Sequence, residues 1–484
     1  MDRPHERAAL PIAAMLVAAL CAPRPALATP ARASRAEAGL AGLPASRVVL
    51  PRALATALAE RRIPSFSRQT GLACRACHYQ FLQLTPFGRM FKLGGYTLSS
   101  VPTIDARDTT ARRQTLKLLS IPPLSAMLQA SYTHVRSATP GAQNDATALP
   151  QQLSLFLGGA LTPKIGTFLQ FTYSGADGSF GMDNADIRFA ARSTMASRTL
   201  LYGVTVNNSP SVEDPWNTTP AWGFPFAASD AAPSPVASTL IDGGLAQQVL
   251  GVGAYALWND LVYAHVAAYR AAPQGTAQPL DSTAQGANRG AIPYWRVALE
   301  RGFGAEYVMV GTYGLSARLY PQGVSGPTNR FTDVAVDAQY EHRFGGGGAI
   351  IGRTTWIHER QTLDAFQAAD PPAAESGRHT LETFRVNASW VPTTRYGLGA
   401  GYFSTTGTAD TLLYAPAPVS GSRTGKPDSH GVLGELDFNP WQNARLAFQY
   451  VHYGKFDGAS SSYDGFGRRA SDNDTAYLLL WLVF

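Results

Sequence analysis

Cysteine is nearly missing from this chain, with Cys21, Cys74 and Cys77 the only three in 484 residues. Cys21 lies in an N-terminal segment that reads as an export signal. Once that segment is removed, two thiols cannot build a framework of structural disulfides, even in an oxidising compartment. Also missing, after the N-terminal segment, is any continuous apolar run as long as a membrane-spanning helix requires. Helical membrane spans are therefore excluded. Charged residues are sparse at 15%, and no nucleic-acid partner is expected. Glycine (46 residues), tyrosine (20) and tryptophan (8) are plentiful. A mean hydropathy near zero suits strands that alternate between lipid and lumen.

That alternation is visible. Within 200–208, Leu200, Tyr202, Val204 and Val206 share one face and Gly203, Thr205 and Asn207 the other. Within 331–343, Val334, Val336, Ala338 and Tyr340 oppose Asp333, Asp337, Gln339 and Glu341. Within 381–391, Phe384, Val386, Ala388 and Trp390 oppose Arg385, Asn387 and Ser389. About sixteen such segments fit between Ser125 and Phe484. Their connections alternate in length: Thr162-Pro163-Lys164, Trp258-Asn259, Phe303-Gly304, Pro392-Thr393-Thr394 and Pro440-Trp441 are tight, whereas 209–244, 272–291 and 406–428 are long and polar. A soluble sandwich would share the alternation along strands but not this asymmetry of turns. The pattern predicts an all-β fold, a transmembrane outer-membrane β-barrel of about 16 antiparallel strands with short periplasmic turns and long external loops. Tyr477 to Phe484, apolar and ending on an aromatic, reads as its last strand. Outer-membrane lipid is then a partner and the bacterial outer membrane the location.

Export is encoded at the other end. Arg3 and Arg7 precede an apolar run from Ala8 to Ala22, and Ala26-Leu27-Ala28 is a plausible signal-peptidase site. The expected organisation is a signal peptide over 1–28, an Ala/Arg-rich linker over 29–60, a compact segment over 61–100, a linker over 101–124 and the barrel over 125–484.

The two remaining cysteines belong to Cys74-Arg75-Ala76-Cys77-His78, the C-x-x-C-H signal for c-type haem attachment. A zinc site would need two more ligands, and no Cys or His lies between His78 and His134. A thioredoxin-like site would need a βαβ context, which is absent. One covalent haem c is expected, with Cys74 and Cys77 as the thioether attachments and His78 as an axial iron ligand.

Around the motif, residues 61–100 hold Phe66, Tyr79, Phe81, Phe87, Phe91 and Tyr96. So short a segment buries too little apolar surface to fold alone, even around a haem. Charge suggests what it leans on. Between Thr29 and Lys117 there are 14 Lys or Arg against 4 acids, while 118–484 carries a net charge of −5. A barrel of about sixteen strands has a lumen that can be plugged, and an acidic wall attracts a basic plug. The haem segment is therefore expected in the barrel, or at its periplasmic mouth.

The stretch Ile63-Pro64-Ser65-Phe66-Ser67-Arg68-Gln69-Thr70-Gly71-Leu72-Ala73 leading into the motif, with Leu84-Thr85-Pro86-Phe87-Gly88-Arg89-Met90-Phe91-Lys92 and Gly95-Tyr96 after it, resembles the fused monohaem cytochrome-porins of iron-oxidising bacteria. Val206-Asn207-Asn208, the run from Trp216 to Pro225, and Pro293-Tyr294-Trp295-Arg296 are similar to the barrel of that family. The likeness spans nearly the whole mature chain. It implies an outer-membrane electron-transfer cytochrome that oxidises extracellular Fe(II) through its single haem and hands the electron to a periplasmic carrier, a cytochrome or a cupredoxin. Ferric iron precipitates near neutral pH, so oxidising Fe(II) outside is an advantage. Because electrons tunnel only over short gaps, one haem can serve both sides of a hydrocarbon layer of about 30 Å only from within the pore. Homologous architecture also allows another donor or acceptor, or a diffusion porin with a haem plug.

The distal haem ligand is open. Met90 is a candidate, since a thioether would raise the potential, although it is flanked by Phe87 and Phe91 and suits core packing equally. Asp333, Asp337 and Glu341, spaced along one lumen face, are candidates for a cation path, with Glu435 and Asp437 on a later strand; a solvated polar wall would look the same. His358, His379, His430 and His452 fall near external strand ends, where lone histidines usually have no ligand role.

Overall fold

A computed structural model describes residues 64–484 apart from 102, 109–112, 120–122, 220–222, 272–286 and 322–325. The expected signal peptide (1–28) and linker (29–60) lie outside the described residues. Sixteen strands follow in order: β1 Leu124–Val135, β2 Asp145–Ala160, β3 Ile165–Ser174, β4 Ser179–Met195, β5 Arg198–Asn207, β6 Leu250–Trp258, β7 Val262–Arg270, β8 Ile292–Phe303, β9 Glu306–Leu319, β10 Asn329–Phe344, β11 Gly348–Thr362, β12 Arg378–Val391, β13 Tyr396–Gly407, β14 Ser429–Trp441, β15 Ala444–Lys455 and β16 Thr475–Val483. Each pairs antiparallel with its neighbours, and β16 returns to β1 with Leu482 opposite Leu128, so the sheet closes into a barrel. All sixteen expected segments are strands.

The alternation sorts as expected. Val334 and Val336 stand on the outside at 43% and 46% exposure, while Asp333, Asp337 and Glu341 face inward and are buried. Outward aromatics gather towards the short-turn end, at Phe303, Tyr340, Trp390, Tyr396 and Trp441, with Trp356, Phe384, Tyr402 and Tyr450 near mid-strand. Among the described residues no helix is long and apolar enough to cross a membrane. A closed sheet without edges, apolar outside and belted by aromatics, is the other structure that can span one. The chain is an outer-membrane β-barrel. Its tight turns use residues that leave the right-handed region: Ala196 and Ser197, at φ 51° and 60°, make a two-residue hairpin matched to strand twist.

Two expectations change. Thr103–Asp108 pairs antiparallel with Arg113–Leu119, so the linker assigned to 101–124 contains a hairpin. The strand expected to start at 151 starts at Asp145 and runs through Pro150. A register shift absorbs the proline: Gln129 faces Gln152, but Ser131 faces Ala148. A residue without an N–H is tolerated where the ladder is interrupted.

The lumen is filled from both ends. Residues 64–100 enter from the short-turn mouth, and the long connection between β5 and β6 folds inward and is largely buried from Asn208 to Thr219. That connection was read as an external polar loop, because its composition is polar; its polar groups meet the charged inner wall instead. Plug and barrel belong to one compact unit, Ile63–Phe484.

The outward face of β10 gives a check on the membrane assignment. Val336→Arg puts a charge against lipid near mid-strand and is expected to destabilise the barrel by about 2–4 kcal/mol in bilayers, measured by denaturant unfolding in vesicles. A stability unchanged from wild type would contradict the lipid-facing assignment.

Candidate functional site

The plug is assembled by local signals. Helix α1, Ser65–Thr70, follows Pro64 and stops at Gly71, which takes φ 70° and returns its N–H to Ser67 O at 2.9 Å. A single turn, α2, Cys74–Cys77, carries the two thiols, and His78 opens a short strand, His78–Gln80, paired with Gln83–Leu84. Helix α3, Pro86–Leu93, begins with proline at its first position, where the missing N–H costs nothing. Its cap, Thr85, accepts a bond from Gly88 N at 3.1 Å, donates its hydroxyl to Ala76 O at 2.6 Å and donates its own N–H to Cys77 O at 2.9 Å. The residue that starts α3 thus clamps the C-x-x-C-H turn. A Cβ on Gly88 would lie 2.2 Å from Cys77 O, so only glycine permits this approach.

Cys74, Cys77 and His78 all line a cavity of about 220 Å³ whose other walls are mainly apolar, including Phe66, Phe91, Phe156, Phe168 and Trp481. Cys74, His78 and Phe81 also line a second cavity of about 350 Å³ that opens at the short-turn mouth and carries Arg75 and Arg343. The His78 Nδ1 is enclosed without a partner. Burial, then the neighbouring Cys74, push the Cys77 thiol up to about 11, and burial pushes the His78 imidazole down to about 4. At pH 7 the thiol is protonated and the imidazole keeps its lone pair. Two thiols and a neutral imidazole at an apolar cavity, beside a mouth with two guanidinium groups, are a donor set that would suit a covalently held amphipathic tetrapyrrole.

The acidic wall holds this plug by specific pairs. Arg89 meets Glu341 at 2.5 Å, 3% and 0% exposed, and lies over the Tyr307 ring at 4.2 Å. Tyr79 donates to Glu341 at 3.0 Å, Gln80 to Asp437 at 2.7 Å, Tyr96 to Asp186 at 2.6 Å, and Tyr255 to Leu93 O at 2.6 Å. Further up the lumen, Asp337 pairs with Arg296 and accepts from Thr218 of the inward loop, and Asp333 accepts Ile241 N at 2.7 Å. Glu435 and Asp437 share Arg445 at 2.7 and 2.6 Å. Asp333, Asp337 and Glu341 do form one inward row, as expected. They are buried under loop and plug and fasten both, rather than lining an open cation path, because each opposes a donor that the outer sequence pattern did not reveal.

Met90 is placed differently from its candidate role. Two residues on from Gly88, it lies about 200° around α3 and packs against the cluster of Trp216, Tyr255 and Leu257, away from the cavity that Gly88, Phe91 and Lys92 line. It packs in the core and is not among the residues that line that cavity. His379 meets Asp410 at 2.8 Å, His452 meets Asp474 at 2.8 Å and His358 meets Glu382 at 3.2 Å. Among the described residues, no group of three or more His, Cys, Asp or Glu could hold a metal ion.

Sequence reasoning missed the inward loop. Asp214 accepts the N–H groups of Trp216, Thr218 and Thr219 at 2.9, 2.7 and 2.7 Å, folding the loop into a knot. Arg353 then donates to Trp216 O at 3.2 Å and Thr355 to Thr218 O at 2.7 Å. The signal was there in parity: Arg188, Arg296, Arg353 and Arg445 all fall on the inward face of their strands, and buried cations need anions brought to them.

No protein-family model matches the sequence, and no curated protein matches it. Solved structures similar in fold include an anion-selective porin from Comamonas acidovorans, 12% identical with a TM-score of 0.43, covering 75% of this chain and 98% of the porin. OprB of Pseudomonas putida is 10% identical with a TM-score of 0.44, covering 75% and 93%. The outer membrane channel DcaP of Acinetobacter baumannii is 10% identical with a TM-score of 0.42, covering 75% and 96%.

Two substitutions test how the plug is held. Glu341→Ala leaves the buried Arg89 charge unpaired, an expected loss of about 3–5 kcal/mol, seen as faster trypsin cleavage at Arg75 in outer membranes with the periplasmic face open. Protection equal to wild type would mean that apolar contacts alone retain the plug. Gly88→Ala pushes α3 off Cys77 and is expected to loosen the C-x-x-C-H turn, read as faster trypsin cleavage at Arg75 in the same assay.

Proposed function

We propose that the chain is an outer-membrane electron-transfer protein that carries one haem c on Cys74 and Cys77 with His78 as an axial ligand. By its family resemblance it oxidises extracellular Fe(II) and passes the electron to a periplasmic carrier. The observation that carries the reading is the position of C-x-x-C-H: inside a closed barrel, against an apolar cavity, near the short-turn aromatic band. Electrons cross insulating layers only by short steps, and a redox centre within the lumen removes part of a gap of about 30 Å.

A haem held there supplies one-electron iron chemistry. The surrounding residues set its conditions. The aromatic walls exclude water, which disfavours the more highly charged oxidised state. His78, kept neutral by burial, is ready to donate to iron, and Arg75 and Arg343 at the mouth are placed to meet carboxylates. Exposed Arg75, Lys164, Arg198, Arg343 and Arg395 give the short-turn end a cationic rim, against Asp260 and Glu306. Such a rim favours an acidic carrier, a small cytochrome or cupredoxin, through steering.

The second reading is a diffusion porin whose haem segment is a structural plug. Sixteen strands make it reasonable, since barrels of that size hold aqueous channels. Against it stand the plug and the inward loop, which occupy the lumen from both ends.

One preparation separates the two. The purified full-length protein is expected to contain one haem per chain, to be reduced by Fe(II) in anaerobic stopped-flow, and to leave liposomes tight to small sugars. A haem that Fe(II) does not reduce, in a sugar-permeable barrel, would establish the porin reading instead. Cys74→Ser and Cys77→Ser together should abolish covalent haem and reduction while leaving the folded barrel.

A further inference from the structure

We infer that Met127, on the barrel wall, is the distal axial ligand of the haem iron, an inference that rests on the electron-transfer reading above. His78 takes one side of the iron, so the sixth ligand must come from another wall of the same cavity. The walls are α1, α3, the inward loop and the inner faces of β1, β2, β3 and β16. Few of their side chains can bind low-spin iron. Lys92 donates its ammonium to Asp214 O at 3.2 Å, Tyr96 donates its hydroxyl to Asp186 at 2.6 Å, and Asn217 donates to Leu82 O. Each is a donor already directed elsewhere. Met127 lines the cavity and carries a neutral thioether, a weak acceptor whose sulfur has a lone pair to spare beyond its one contact with Gln129.

Its setting suits ligation. Met127 is 3% exposed and packs with Trp481, Phe81 and Leu82. Gln129, two residues along the same inner face of β1, points its amide at the Met127 sulfur at 3.7 Å, a weak contact that steadies the side chain. Phe81, in the turn just after the motif, packs its ring against Trp481 at 5.6 Å between centroids, tilted by 35°. Met127 thus lies on a barrel wall of the same cavity that His78 lines from the plug.

The consequence is a divided site. The plug supplies the two thioether attachments and one axial nitrogen, and the barrel supplies the axial sulfur as a dative bond. The iron then cross-links plug to wall, and a Met/His pair gives the high potential needed by an acceptor of electrons from a mild reductant.

The test uses ferric full-length protein with covalent haem confirmed by its pyridine haemochrome. The wild type is expected to be low-spin with the long-wavelength sulfur-to-iron charge-transfer band. Met127→Leu, close in shape, should lose that band and shift towards high spin, and Met127→His should stay low-spin without the band and at a lower potential. Met90→Leu should change neither. A Met127→Leu protein that keeps both band and low-spin state, or a wild type lacking the band, would overturn the assignment of Met127 while leaving the haem itself established. A wild type without covalent haem would instead overturn the electron-transfer reading.

Discussion

Closure of the sheet is the constraint on which the rest depends. In hydrocarbon no water can satisfy a strand edge, so the last strand, β16, must find the first, β1, and it does so over nine residue pairs from Thr475 with Val135 to Val483 with Met127. Once the ring is closed, strand parity has only two destinations. One set of side chains meets lipid, the other meets a confined lumen. The outer set can be uniformly apolar, whereas the inner set is polar and charged and must be satisfied within a small volume.

That second requirement explains the plug and the inward loop. Arg188, Arg296 and Arg445 on the inner wall are fully buried, and an unpaired buried cation is costly. The wall's own Asp186, Asp337 and Asp437 satisfy part of each fork, and Glu213 and Asp214 arrive from the inward loop. The plug completes the account from the other end with Arg89 to Glu341, Gln80 to Asp437 and Tyr96 to Asp186. A plug of about forty residues, too small for its own core, is in this way given one by the barrel. The apolar cavity is accordingly shared: Phe66 and Phe91 come from the plug, Phe156, Phe168 and Trp481 from the wall.

Strand positions were legible because lipid enforces a strict period of two, and tight turns such as Ala196-Ser197 leave strong local marks. The C-x-x-C-H motif was legible because its spacing is a property of neighbours in sequence. What failed did so where a polar group could satisfy itself in more than one way. The polar loop at 209–244 reads like solvent-exposed chain, yet Asp214 binds its own backbone and the loop folds in. Asp333, Asp337 and Glu341 read like an open charged wall, because their partners Ile241, Arg296 and Arg89 lie far off in sequence. Met90 and Met127 are alike as residues; only the face of α3 and the inner face of β1 distinguish a packed side chain from one at the cavity.

By itself the sequence determined which residues face lipid, how many strands there are, and where the C-x-x-C-H motif stands, since periodicity and motif spacing are properties of neighbours along the chain. The tertiary structure alone decided that the motif sits inside the lumen, which carboxylates grip the plug, and which methionine lines the cavity. Those contacts join residues hundreds of positions apart, and it is closure of the barrel, not local preference, that brings them within bonding distance.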